Sequence, residues 1–189
     1  LIGVASGKVD QIYHEHVSYF TVRSAAAVLA RAGMVLTSAK VVDYHGGSLR
    51  IIAQKKEDAH GVSEEAQKRI REEEARGLFK LEIYKQFMRR NLLQRSRFLQ
   101  KVHQIKEAGN SIIAVGAAAK GNTFLNFYKL DGSLIDYVTD SSPHKKGKYT
   151  PATRIPIVGD EIFLKYGKVY ALILSWNIAP QLKETLSKF

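Results

Sequence analysis

Short apolar runs alternate with helical patterns throughout residues 109–189. The predicted strands are SIIAVG, LIDYVTD and KVYALILSW, and the predicted helices are TFLNFYKL, a segment at 160–166 and a segment from Pro180. Such alternation is typical of parallel strands, because only a crossover connection returns the chain to the same end of a sheet. Helices then cover both faces of the sheet. We therefore predict an α/β fold with a Rossmann-like parallel sheet and flanking helices in this part of the chain.

The residues before this sheet show other patterns. Residues 21–33 predict a helix that begins after Thr21 and ends at a glycine. Residues 34–43 and 48–54 are rich in Val, Ile and Leu and predict two strands joined by a glycine turn. We assign residues 1–60 to an N-terminal α+β hairpin segment.

A long helical segment is predicted between these two parts. Residues 62–107 contain almost no Pro or Gly, and their apolar residues recur at helical spacing. They form one long helix or two in tandem, with a break near Gly77. Basic residues gather toward the end of the segment, as the helix dipole favours, so most of that charge is a solvated helix face. We assign 61–108 to this segment and 109–189 to the Rossmann-like half.

The formal net charge of +11 favours an anionic partner, because a basic surface attracts polyphosphates. The densest basic run, HKKGK at 144–148, is short and loop-like, and neither zinc-finger spacing nor an aromatic RNA-recognition signature is present. Anionic small molecules such as nucleotide phosphates are therefore favoured over nucleic acid. The sequence contains no Cys, which excludes disulfides and thiolate metal sites.

The start of the chain bears on its location. No apolar run reaches the length of a membrane span, and the first residues, LIGVASGKVD, lack the charged start and apolar core of a secretory signal. These features predict a cytoplasmic protein without a membrane partner. The first residue is Leu rather than Met, which suggests a fragment or a chain cut from a longer protein.

A glycine loop follows the first predicted strand of the sheet. Small residues let the backbone approach a ligand closely, and the N–H groups at a helix start favour a phosphate. The loop matches neither Gly-x-Gly-x-x-Gly nor a Walker A motif, so small residues required only for helix–sheet packing remain an alternative. The candidate binding residues in this loop are Gly116, Ala118, Ala119, Lys120, Gly121 and Asn122.

Other candidates stand at strand ends and turns. Asp140 ends the next strand, where an acidic residue binds a ribose hydroxyl in NAD-binding folds, or else it caps the turn before Pro143. Asn177 follows a strand whose carboxyl end can face a ligand, or it bonds to the following turn. The residues between the two predicted strands form either a hairpin turn or a set of hydrogen-bond donors to a ligand; they are His45, Gly46, Gly47 and Ser48.

The stretch YHEHVSYF, residues 13–20, concentrates polar rings near the start of the chain. On a strand, His14 and His16 would share a face, whereas in a turn Tyr13 and His16 would lie together. A His-x-His pair can begin a metal site, but the sequence offers no second cluster with ligand spacing. Composition alone favours a structural role for this stretch.

Five ordered motifs carry a resemblance to a known family: DQIYHEHVSYF, HGGSLR, GAAAKGNTFLNF, KGKYTPATRIPI and LILSWNIA. Together they resemble the C-terminal part of the sugar C-methyltransferases, which use S-adenosylmethionine (SAM) and act on nucleotide-linked keto-deoxysugars. The resemblance covers nearly the whole chain from Asp10. In that family the full chain also has an N-terminal zinc-binding domain with cysteines and a central domain that binds the methyl donor.

The resemblance implies that this chain is the substrate-binding, catalysis-contributing half of such an enzyme. It implies that SAM is bound by a domain not present in this chain, that this chain holds no metal, and that a nucleoside diphosphate sugar binds to residues 109–189. Methylation beside a ketone requires a base that titrates near neutrality and a donor to the enolate oxygen.

By this resemblance His16 is the base, Tyr13 lies beside it and Glu15 orients the imidazole or the sugar, which favours a turn over a flat strand. The fourth motif adds Lys148 and Tyr149 to the substrate-binding residues. The chain departs from the family pattern at Ala152, where Gly is usual, and at Arg154, where His is usual.

Two other classes of protein compete with this interpretation. A non-catalytic nucleotide- or NAD-binding Rossmann-like module would also use the glycine loop and Asp140, but it does not require YHEH. A basic nucleic-acid-binding domain would use the long helix and the lysines, but it leaves the glycine motifs without a purpose.

Overall fold

The computed structural model describes Val9, residues 11–44 and residues 47–189. The described residues separate into two units. Those within 16–90 form the first, here called the hairpin unit, and those within 9–15 and 91–189 form the second, here called the sheet unit.

The hairpin unit packs helices against a two-stranded antiparallel sheet. Its elements are α1 (Val22–Arg31), β1 (Met34–Val42), β2 (Ser48–Lys55), a 3₁₀ turn (Lys56–Asp58) and α2 (Glu64–Ala75). The core contains Val22 and Ala25 of α1, Leu36 and Ala39 of β1, and Ala66 of α2. The predicted helix and hairpin are therefore confirmed.

Side chains from two parts of the chain accept hydrogen bonds from the backbone N–H groups at the N-terminus of α1. The Thr21 hydroxyl accepts a hydrogen bond from the Ser24 N–H at 3.0 Å, and the Ser24 hydroxyl accepts one from the Thr21 N–H at 2.9 Å. This capping box satisfies N–H groups that have no partner within the helix. The Glu73 carboxylate of α2 accepts a further bond from the Val22 N–H at 2.8 Å.

The long helical segment is two helices, as one of the two sequence alternatives predicted. After α2 ends at Ala75, a break containing Gly77 (φ +72°) precedes α3 (Leu81–Glu107). Glycine adopts this left-handed conformation without steric cost. Residues of α3 through Arg90 belong to the hairpin unit, and those from Asn91 belong to the sheet unit.

The sheet unit is built on a four-stranded parallel sheet in the order β5-β4-β3-β6. After α3 its elements are β3 (Ser111–Val115), α4 (Ala119–Tyr128), β4 (Tyr137–Thr139), β5 (Ile157–Val158), a 3₁₀ helix (Asp160–Lys165), β6 (Val169–Ile173), a 3₁₀ turn (Trp176–Ile178) and α5 (Ala179–Leu186). Because Ile112, Ile113, Ala114 and Val115 alternate in direction and are all buried, both faces of β3 are covered. The Rossmann-like parallel sheet is confirmed.

Three local details differ from the sequence prediction. Strand β5 lies in a segment predicted as a loop, and the helix predicted at 160–166 is a 3₁₀ helix over residues 160–165. Helix α4 begins at Ala119, so Lys120, Gly121 and Asn122 lie in its first turn and not in a loop before it. Ala118 has the extended conformation of an N-cap residue, which starts the helix earlier than its apolar pattern indicates.

Aromatic contacts fix α4 against the second half of α3. The Phe98 ring meets the rings of Phe124 and Tyr128 edge to face, with centroids 5.7 and 5.1 Å away. Phe124 and Tyr128 stack on each other at 4.1 Å. Such aromatic pairs stabilise the fold by more than the burial of their surface area alone. They therefore hold α4 firmly against α3.

The segment before β5 folds back as a small hairpin in which Tyr149 pairs with Pro156. The Thr150 hydroxyl accepts a hydrogen bond from the Ile155 N–H at 2.8 Å. At the tip, Ala152 and Arg154 have φ values of +62° and +52°, in the left-handed region.

Replacing Ala152 by Gly is expected to stabilise the protein by about 1 kcal/mol. A left-handed L-residue costs about 1–2 kcal/mol, and the greater freedom of Gly in the unfolded chain offsets about 0.5–1 kcal/mol of that gain. Urea unfolding measures the difference. Ala27→Gly, at an exposed position in the middle of helix α1, is the matched control and should destabilise. A loss of stability in Ala152→Gly would contradict the strained conformation.

Candidate functional site

The order of the parallel strands reverses at β3. The chain passes from β3 through α4 to β4 on one side, and β6 pairs with β3 on the other side. Open α/β sheets bind ligands outside the carboxyl ends of the strands at such a switch point. Here the segments that follow β3 and β6 are residues 116–121 and 175–177, which we call the switch-point site.

Two glycines of the switch-point site are required by close packing. Gly116 has φ +95°, and a Cβ atom there would lie 2.5 Å from Ser175 Oγ and 3.2 Å from Ser175 Cβ. A Cβ atom on Gly121 would lie 2.9 Å from Leu174 Cβ and 3.1 Å from the Gly116 carbonyl oxygen. Packing thus accounts for both glycines, and it brings the segments after β3 and β6 into contact.

The start of α4 presents positive charge without an internal partner. Ala118 provides no side-chain cap for the first-turn N–H groups. Lys120 is half-buried, and its ammonium group has no hydrogen bond or ion pair within the described part of the chain. Uncapped N–H groups and a lysine at one helix start favour an anion there.

Asp140 is bonded to the turn that precedes α4. Its Oδ2 atom accepts hydrogen bonds from the Ala117 N–H at 2.9 Å and from Lys145 Nζ at 3.0 Å. Its Oδ1 atom accepts one from the Ser142 N–H at 2.9 Å, which is the capping arrangement that the sequence left open.

The surroundings of Asp140 change its acidity. Burial acts to raise the pKa of Asp140, but the Ser142 N–H, the Lys145 ammonium group and the Ala117 N–H together hold that pKa below its ordinary value. The carboxylate is therefore the stable form at neutral pH.

Asn177 lies in the 3₁₀ turn after β6 and is exposed. Among the described residues, the side-chain amide of Asn177 makes no hydrogen bond. No contact therefore supports the alternative in which Asn177 bonds to the following turn. Asn177 thus lies in the switch-point site with a side chain that a ligand can reach.

Lys148 and Tyr149 are exposed on the hairpin before β5. The tip of this hairpin contacts α4, because the Asn126 side-chain amide donates to the Pro151 carbonyl oxygen at 3.3 Å. This contact places the tip of the hairpin beside the C-terminal half of α4. Asn122 joins the same group, since its Oδ1 accepts from Asn126 Nδ2 at 3.3 Å.

Tyr13 lies in a bend and His14 and Glu15 in a turn, whereas His16 has no regular structure, and the described stretch 11–20 contains no strand. In the sheet unit, the Tyr13 and His14 rings meet edge to face at 6.0 Å, and His14 and Glu15 are exposed. In the hairpin unit, the half-buried His16 ring meets Tyr19 edge to face at 6.0 Å. The backbone of Tyr13, His14 and Glu15 is thus turn-like rather than extended, and the catalytic roles of this stretch stay a prediction.

The glycine turn between β1 and β2 is only partly described, because His45 and Gly46 lie outside the described residues. Gly47 has φ +111°, and its N–H donates to the Tyr44 carbonyl oxygen at 3.0 Å. The Ser48 hydroxyl donates to the same oxygen at 2.9 Å. Gly47 and Ser48 therefore hold the hairpin turn.

Two residues, one beside the switch-point site and one in it, were not predicted from the sequence. Lys145 bonds Asp140, and Ser175 packs on Gly116. Lys145 lies in the basic run 144–148, but nothing in that run separates it from the neighbouring lysines. In the described ranges, no cluster of three or more His, Asp or Glu side chains is placed to hold a metal ion, and none of the helices is long and apolar enough to cross a membrane.

Comparisons with known proteins agree on one enzyme class. The sequence model of the family described as "C-methyltransferase C-terminal domain" matches residues 43–189. C-methyltransferase NovU from Streptomyces niveus is 28% identical to this chain over 184 residues, which is 97% of the chain and 44% of that relative. The chain thus spans less than half the length of this relative.

Proposed function

Because the chain belongs to the C-methyltransferase C-terminal domain family, we propose that it is the substrate-binding and catalysis-contributing part of a SAM-dependent enzyme that methylates a carbon of a nucleotide-linked keto-deoxysugar. The observation that carries this proposal is the switch-point site, where an uncapped helix start and the unpaired Lys120 lie at the carboxyl ends of β3 and β6. This arrangement suits the diphosphate of a nucleotide sugar.

Residues 109–189 are proposed to hold the nucleotide sugar. Lys120 and the first-turn N–H groups of α4 would contact the diphosphate, with Asn177 beside them. Lys148 and Tyr149, on the hairpin next to α4, would contact a more distant part of the substrate. Gly47 and Ser48 of the hairpin unit, with the neighbouring His45 and Gly46, complete the proposed set.

The proposed chemistry assigns a proton transfer to this chain. His16 would remove the proton from the carbon beside the ketone, Tyr13 would donate a hydrogen bond to the enolate oxygen, and Glu15 would orient the imidazole or the sugar. When bound, SAM supplies an electrophilic methyl group to the resulting carbanion.

The methyl donor is proposed to bind in a part of the complete protein outside this chain, in the methyltransferase domain that would be its partner. The unpaired Lys120 supports this division, because its positive charge suits the two negative phosphates of a nucleoside diphosphate better than the positive sulfonium of SAM. We also propose that the enzyme works in the cytoplasm.

A nucleotide- or NAD-binding module without chemistry is less well supported. That alternative depends on Asp140 as the ribose ligand, and the three hydrogen bonds that this carboxylate accepts come from Ala117, Ser142 and Lys145. A positioning role for Asp140 suits these contacts better than a direct contact with a ribose.

Titration calorimetry on the 189-residue chain tests the proposal. The ligands are the diphosphates of uridine, thymidine, guanosine, cytidine and adenosine, and SAM. At least one diphosphate should bind with a Kd in the micromolar range, about −8 kcal/mol, and SAM should give no saturable heat. Micromolar binding of SAM, or binding of none of the five diphosphates, would contradict the proposed division of labour.

A further inference from the structure

The geometry points to Lys145 as a positioning residue for the anion site: its ammonium group fixes the backbone before α4 and neutralises the carboxylate beside that site. The inference rests on the proposed function, since it assumes that a diphosphate binds at the start of α4. It assigns a role to a lysine that lies next to the proposed site without contacting the substrate itself.

Lys145 and Asp140 hold both polar groups of one residue. Lys145 Nζ donates to the Ala117 carbonyl oxygen at 2.9 Å and to Asp140 Oδ2 at 3.0 Å. The same carboxylate oxygen accepts a hydrogen bond from the Ala117 N–H at 2.9 Å. Because Ala117 lies between Gly116, whose φ is +95°, and the N-cap residue Ala118, this pair fixes the direction in which α4 starts.

The Asp140 carboxylate, which holds the turn, also carries the same sign of charge as an anionic ligand. Asp140 Oδ2 lies 2.9 Å from the Ala117 nitrogen, next to the N-terminus of α4. The Asp140 side chain is only 12% exposed, so solvent screens its charge weakly. Without a nearby cation, it would repel a phosphate from the same helix start.

Lys145 resolves this conflict because it neutralises Asp140 without occupying the helix start. Its side chain is 42% exposed and approaches from the loop after β4. The unpaired Lys120 is then left to attract the ligand. The two lysines thus have separate tasks, one compensating an internal charge and the other binding an external one.

A double-mutant cycle in the full chain tests this role. The variants are Lys145→Met, Asp140→Asn and the double variant, and the probe is the nucleoside diphosphate that the wild-type chain binds most tightly. Lys145→Met is expected to weaken binding by about 10- to 100-fold, because it leaves the carboxylate uncompensated. Adding Asp140→Asn should recover most of that loss, since the amide oxygen still accepts from Ala117 but carries no charge.

Lys146→Met is the matched control, because it removes the same charge from the same loop. Lys146 Nζ lies 3.9 Å from the exposed Glu161, and loss of such a surface pair should change affinity by less than about threefold. If Lys145→Met does not fold, Lys145→Gln replaces it in the cycle, since its amide keeps a donor for the Ala117 carbonyl oxygen.

The outcomes of the cycle separate the inference about Lys145 from the proposed function. Recovery in the double variant supports charge compensation, which a purely structural lysine would not produce. If Lys145→Met binds as tightly as Lys146→Met, or if the double variant binds no better than Lys145→Met, the inference is overturned while the proposed function stands. If the wild-type chain binds no nucleoside diphosphate, both are overturned.

Discussion

Methyl transfer by the complete enzyme is expected to slow by about 10²- to 10⁴-fold when His16 is replaced by Ala, with substrate affinity nearly unchanged. This range is typical for loss of a positioned base. A base acts in the transition state more than in the ground state, so kcat should fall while KM stays close to the wild-type value. Single-turnover kinetics with the donor domain present measure the effect.

Hydrogen exchange isolates the proton transfer from methylation. With substrate bound in heavy water and no methyl donor, the wild-type enzyme should incorporate deuterium at the carbon beside the ketone, and His16→Ala should not. Tyr13→Phe should have a smaller effect, because other polar groups can partly replace one enolate donor.

His14→Ala is the control for the His16 experiment, because His14 is an exposed histidine of the same motif. It should exchange and methylate at close to the wild-type rate. Exchange in His16→Ala as fast as in the wild type would place the base elsewhere and leave YHEH with a structural role.

Local signals in the sequence were sufficient for much of the fold. The N-cap at Thr21 depends on residues within one turn, and the capping box with Ser24 forms as such signals predict. The break at Gly77 likewise depends on one residue with a left-handed backbone. The parallel sheet was predicted from the alternation of strands and helices over residues 109–189. Because this pattern repeats, an error in one element does not change the predicted fold.

Non-local pairing explains what the sequence did not reveal. Strand β5 has only two residues, and it exists because the Asp140 N–H donates to the Val158 carbonyl oxygen and the Val138 N–H to the Pro156 carbonyl oxygen. A run of that length has no detectable period. The 3₁₀ form of residues 160–165 is likewise decided by packing, since Ile162 and Phe163 are buried against β3.

The same distinction applies to the candidate site. The glycine loop was found because a strand end followed by small residues is a local pattern. The partnership of Asp140, Lys145 and Ala117 could not be found, because it joins a strand end, a loop and a turn that only the folded chain brings together. The packing demand on Gly116 comes from Ser175, which is far away in sequence.

Affinity for a nucleoside diphosphate sugar is expected to fall by about 10- to 150-fold in Lys120→Ala, the conversion of about 1.5–3 kcal/mol for a lost charge-assisted hydrogen bond. Lys120 is in the first turn of α4, where its charge adds to that of the uncapped N–H groups. Its ammonium group has no partner in the described residues, so its removal leaves no internal group unpaired. Calorimetry measures affinity, and urea unfolding should show little change.

Lys101→Ala separates a specific contact from a general effect of charge. Lys101 is exposed on α3 in the sheet unit, and its replacement lowers the net charge by the same amount. Because salt at about 0.15 M screens exposed charges, Lys101→Ala should leave affinity nearly unchanged. Equal losses in the two variants would show that the basic surface attracts the ligand without a dedicated lysine. Unchanged affinity in Lys120→Ala would show that the glycine loop serves only packing. Gly116 and Gly121 would then be needed only for the close approach of α4 to the segment after β6.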